Sequence, residues 1–146
     1  MYSFIISTRP KSYNSKKSLA YENQLRVTYS ANYPIHVPVE TDLYGLVHHF
    51  FRRDIGIDAD NLSKPVWDAL RGLLFADDKQ VKLRIAGSFN LSTNDFTTID
   101  FSGLSGSMIT SLLDALQEET DEHILYVECG KFTTDMIKLN LERNGN

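Results

Sequence analysis

The sequence predicts an α+β fold, with helices packed on a mixed β-sheet in one domain spanning residues 1–146. Three observations lead there. Segments of helical spacing interleave with segments of strand spacing, without the strict strand–helix alternation of an all-parallel sheet. The chain is long enough to bury a core without covalent staples. Its composition, 42% hydrophobic and 23% charged, is that of an ordinary globular domain.

Residues 2–7 are rich in β-formers and predict a strand, and residues 8–16 form a polar, basic loop. Residues 17–30 place Leu19, Tyr21, Leu25 and Tyr29 near helical spacing. Pro34 and Pro38 mark a loop or edge strand, and Leu43 to Phe51 reads as a strand. After a turn-like stretch at 54–61, Leu62, Val66, Ala69, Leu70 and Leu73 share one helical face. Pro65 belongs in a first turn, which predicts a helix start near residues 60–63 and an end at Gly72 or at 76–78. Gln80 to Ile85 reads as a strand. A short strand at Phe96–Phe101, a helix at Met108–Leu116 and strands at His123–Cys129 and Met136–Glu142 complete the expectation. In the last of these, Ile137, Leu139 and Leu141 alternate with polar residues.

One cysteine, Cys129, excludes an intramolecular disulfide and a cysteine-based zinc site. No apolar run approaches the roughly 18 residues of a membrane span, and the short apolar N-terminus lacks the pattern of a signal peptide, so a cytoplasmic location is expected. Net charge is −4, but unevenly spread. Residues 1–53 carry seven Lys/Arg against three Asp/Glu, residues 54–80 three against six, and residues 81–146 five against ten. A basic front beside an acidic centre suits phosphate binding next to a metal site. Arg9, Lys11, Lys16 and Lys17 are candidate phosphate contacts, as are Arg52 and Arg53, which adjoin the acids.

Six carboxylates lie between residues 54 and 78. Such crowding is unfavourable unless a cation neutralises it. Magnesium prefers oxygen ligands, commonly one or two carboxylates with water and substrate phosphate. Asp58 and Asp60 point the same way if their segment is extended, and Asp60 is also placed to cap the following helix. Capping and turn formation account for the same aspartates without any metal. An EF-hand does not: starting at Asp58, its sixth and twelfth positions hold Ser63 and Ala69, and starting at Asp54 they hold Ala59 and Pro65. His48 and His49 lie on opposite faces of their strand, where structural roles are expected, and Trp67 is expected in the core or an interface.

The run from Arg53 to Lys64 contains Asp58-Ala59-Asp60-Asn61-Leu62-Ser63-Lys64. It continues into Asp68-Ala69-Leu70 and then Asp77-Asp78-Lys79-Gln80-Val81. Order and spacing closely resemble the signature of the RusA family: Asp-x-Asp-Asn-Leu-x-Lys, Asp-Ala-Leu, Asp-Asp-x-Gln-Val. The resemblance implies a homodimeric, Mg2+-dependent endodeoxyribonuclease that resolves four-way (Holliday) junctions or other branched DNA in recombination and repair. By that resemblance Asp58, Asp60 and Asp78 are the catalytic metal-binding acids, Lys64 is the essential lysine and Asp77 a possible additional acid. Asp68 matches a recurring position that is equally a helix-surface carboxylate. The alternative is a structure-selective DNA-binding or phage accessory protein on the same scaffold with weak or lost cleavage, which the acidic pI of about 5.5 motivates.

A helix over residues 61–75 spans roughly 20 Å, so Asp60 and Asp78 share a metal only under one of two conditions. Either the chain doubles back after Gly72, or two subunits pair antiparallel and bring Asp78 of one to Asp58 and Asp60 of the other. The second arrangement is expected.

Overall fold

The computed structural model describes residues 1–12, 16–35, 37–118 and 120–142; part of the expected basic loop, residues 13–15, lies outside them. The chain runs β1 (Tyr2–Ile6), α1 (Ser18–Asn32), β2 (Leu43–Phe51), α2 (Ala59–Leu70), β3 (Val81–Asn90), α3 (Gly106–Gln117) and β4 (His123–Lys131). The strands form one mixed sheet in the order β1-β4-β2-β3. Strands β2 and β3 are parallel, and β4 is antiparallel to both β1 and β2. Parallel neighbours need a crossover, and α2 supplies it. It returns against the direction of β2, so its N-terminus lies beyond the end of β2 and its C-terminus near the start of β3. This unit positions every acidic motif.

The sheet buries both faces, unequally. Against one face α1 and α2 pack Leu25, Tyr29, Leu62, Val66, Trp67 and Leu70 onto Phe4, Val47, Leu125 and Val127. Trp67 is fully buried, hence a core residue, and it occupies the space left by Gly45: a Cβ there lies 2.5 Å from the indole ring. Cys129 belongs to the same core, where burial pushes its thiol up to about 12. A smaller cluster of Phe50, Leu112, Ile124 and Tyr126 holds α3 on the opposite face.

Three expectations need correction. Residues Phe96–Thr98 form a single 3-10 turn rather than part of a strand; Asp95 Oδ1 accepts from the Thr97 amide at 2.9 Å, a local bond that competes with strand pairing. Met136–Glu142 forms no strand. A 3-10 turn at Thr134–Met136 redirects the chain, and Leu139 and Leu141 stay 95% and 83% exposed for want of a strand to pair with. Pro65 sits beyond the first turn of α2, because the helix starts at Ala59. The helix tolerates it by forgoing the bond that residue 65 otherwise donates to the Asn61 carbonyl. No helix among the described residues is long and apolar enough to cross a membrane.

Candidate active site

The N-terminus of α2 carries the first two acids. Asp58 is the N-cap, with extended backbone, and its Oδ1 accepts from the Asn61 amide at 2.9 Å. Asp60, expected as the cap, instead lies in the first turn, exposed. The two therefore do not share an extended segment. They still stand together at a positive helix end, which favours their charges. The approach is shaped by Asp54, whose Oδ1 accepts from the Gly56 amide at 2.8 Å, with Gly56 at φ 70°, where glycine is favoured.

Down the exposed side of α2, Lys64 follows Asp60 by one turn and pairs with Asp68 at 3.0 Å. Asp60, Ser63 and Lys64 line a crevice of about 320 Å³ with Arg84 and Ala86 of β3. Past the helix, Arg71 Nη1 meets Asp78 Oδ2 at 2.9 Å. Charge thus alternates along this side: Asp60, Lys64, Asp68, Arg71, Asp78.

The Asp-Asp-x-Gln-Val motif has a local explanation. Asp77 caps the 3-10 turn Asp78–Gln80 by accepting from the Lys79 amide at 3.0 Å. Gln80 Oε1 accepts from the amides of Ala76 and Asp77, both at 2.9 Å, while Nε2 donates to the carbonyls of Val39 at 2.7 Å and Thr41 at 3.1 Å. Asp77 and Gln80 therefore build the turn, and Asp78 is what the turn presents. Its Oδ2 faces Arg71; its Oδ1 is buried without a hydrogen-bond partner among the described residues.

Asp58 and Asp78 stand at opposite ends of α2, whose 12 residues span roughly 18 Å. The helix stops at Leu70, but residues 71–77 lead into β3 and do not carry Asp78 back. Among the described residues no three His, Cys, Asp or Glu side chains converge to hold a metal. The donors nevertheless suit a hard cation in part: two adjacent carboxylates at one end, and at the other an orphaned carboxylate oxygen.

The basic residues divide. Arg9 and Lys11 line a cleft of about 340 Å³ with Ile55, Gly56, Ile57 and Asn61, beside the two acids of α2. The Lys11 pKa is lowered by burial and by the charges of Arg9 and Lys17, so these three cations lie close together. Lys16 and Arg53 are exposed. Arg52 differs: its guanidinium donates to the carbonyls of Leu116 and Asp121, tying the end of α3 to the sheet. That bonding gives it a structural part rather than a free cation's.

His48 and His49 do face opposite ways. His49 Nε2 lies 3.1 Å from His123 Nδ1 in a buried pair, with Ser88 Oγ at 3.4 Å from His49 Nδ1. Burial, then His123, holds His49 down to about 4, and burial also lowers His123 and His48. Between two neutral rings one N–H donates to the other ring's bare nitrogen. Neither His123, Ser88 nor Arg84 was singled out in the sequence; strand register alone brings them to this side of the sheet.

With that geometry in place, comparison with known families is decisive: the family model for endodeoxyribonuclease RusA matches residues 5–95. The chain belongs to the RusA family. A comparison with curated proteins returned no match. The matched span runs from β1 past the end of β3, so it contains every RusA motif residue named above. It stops before α3 and before β4, the strand that completes the sheet. At family level the activity is endonucleolytic cleavage of DNA by a junction-resolving enzyme.

Proposed function

We propose that this RusA member is a Mg2+-dependent nuclease of branched DNA, working as a homodimer whose active sites are shared between subunits. The observation that carries the reading is the display of Asp58, Asp60 and Lys64 at one exposed helix end beside the Arg9–Lys11 cleft. Asp58 and Asp60 of one subunit and Asp78 of the other would hold the ion. A bound divalent cation supplies Lewis-acid polarisation of the phosphodiester and makes water a better nucleophile. A two-fold arrangement that brings Asp58 and Asp60 of one subunit to Asp78 of the other makes carboxylates meet where a cation is needed.

The chain's own groups do the rest. Lys64, held by Asp68, steadies charge developing on phosphate. Arg9 and Lys11, with Lys16, Lys17 and Arg53 around them, draw the DNA backbone toward the acids. Asp77 acts through the turn that presents Asp78. The test is a labelled four-way junction with Mg2+, beside duplex and single-strand controls, using wild type and Asp60→Asn. Cleavage by wild type alone supports the reading. Binding without cleavage by wild type would instead favour a junction-binding accessory protein, the reading that the acidic net charge of −4 suggests.

A further inference from the structure

The crevice between α2 and β3 holds two groups that the RusA motif does not mention. Arg84 lies on edge strand β3 opposite Gly45, and Ala86 opposite Val47, so both side chains share the sheet face that α2 covers. At such a position the neighbours are apolar and small, yet Arg84 is exposed and forms no ion pair among the described residues. Across the crevice stands Ser63, only 8% exposed, whose hydroxyl makes no hydrogen bond among the described residues. Ser63 departs from the apolar character of the other buried residues of α2. A buried hydroxyl without a protein partner is completed by water or by a ligand. Lys64 and Asp60 close the crevice on the helix side.

An uncommitted guanidinium, an ammonium and an orphan hydroxyl around one opening of about 320 Å³ make an anion seat. The carboxylate of Asp60 at its edge disfavours a small free anion and favours one held in place by the rest of a bound strand. We propose that this crevice seats a backbone phosphate of the DNA strand, with Arg84 forking its non-bridging oxygens and Ser63 Oγ donating to it. The proposal rests on the nuclease reading above, and deepens it by adding Ser63 and Arg84 as binding residues.

Junction affinity is measured without divalent metal, across a salt series, for wild type, Arg84→Gln, Arg84→Lys, Ser63→Ala and Lys138→Gln, a charge removal outside the crevice lining. A phosphate contact by Arg84 predicts binding weaker by about tenfold or more for Arg84→Gln and a log K versus log salt slope shallower by about 0.9 for each subunit that seats a phosphate, about 1.8 for the homodimer. Arg84→Lys retains the wild-type slope because the charge remains, and Lys138→Gln changes nothing. Ser63→Ala, removing no charge, weakens binding a few-fold at unchanged slope. A wild-type slope in a folded Arg84→Gln protein overturns the proposal while leaving the nuclease reading intact. Should Arg84→Gln not fold, wild-type affinity in both Ser63→Ala and Arg84→Lys overturns it instead. Wild type that neither binds nor cleaves a junction overturns both.

Discussion

Asp58 serves two purposes that substitution can separate. Its carboxylate caps α2 and is also a proposed metal ligand. Asn caps about as well as Asp, so Asp58→Asn should unfold within a few tenths of a kcal/mol of wild type and yet lose cleavage. Asp58→Ala should lose cleavage and about 1 kcal/mol of stability as well. Paired thermal melts and junction assays check this; a destabilised Asp58→Asn would mean that the cap depends on charge. Gln80 illustrates the opposite case, a motif residue whose four hydrogen bonds are all structural, two within its own turn and two to the distant carbonyls of Val39 and Thr41. Gln80→Ala should cost about 2 kcal/mol, since several partners lose their bonds at once, and cleavage should fall with the misplaced Asp78. Lys64→Ala should lower cleavage by roughly 100-fold with stability almost unchanged, because its ion pair with Asp68 is solvent-facing.

At the scale of elements, the buried His49–His123 pair joins β2 to β4, and it links stability to acid. Both groups have folded pKa values below their ordinary value of 6.5, His49 at about 4. The unfolded chain therefore binds protons first, and the pair's contribution is present above pH 6.5 and lost as pH falls toward 4. Thermal unfolding between pH 7.5 and 4.5 should show a steep fall in Tm for wild type and a shallower one for His49→Phe; parallel curves would contradict the assignment. Much of this layer was legible beforehand. Strand β2 was expected at Leu43–Phe51 and lies there, since its apolar run is bounded by turn residues. Helix α2 was readable from the spacing of Leu62, Val66, Ala69 and Leu70. What failed depended on distant partners. Ile137, Leu139 and Leu141 alternate as a strand would, but pairing requires a neighbour that local pattern does not reveal. The cap moved from Asp60 to Asp58 because both satisfy the same local rule. Arg84 and Ser63 were invisible because only the register of β3 against β2 sets them facing each other.

The whole molecule is a sheet completed beyond the matched segment. Residues 5–95 carry the RusA pattern, while α3 and β4 come from the remainder. Because β4 lies between β1 and β2, the matched segment cannot close its sheet alone. Truncation after Asn90 should therefore abolish cooperative unfolding. Truncation after Met136 should shift stability by less than about 0.5 kcal/mol, since Leu139 and Leu141 are almost wholly exposed. Circular dichroism melts of the two truncations distinguish these outcomes. The placement of Asp58 and Asp78 at opposite ends of one helix is the feature on which the functional account turns. Its most direct test mixes Asp58→Asn and Asp78→Asn proteins under conditions of confirmed subunit exchange and measures nicking of a four-way junction. Sites shared across the two-fold axis leave one intact site in each heterodimer, so about a quarter of wild-type nicking should return although each variant alone is inert. No recovery in the exchanged mixture, with wild type active, would contradict the account.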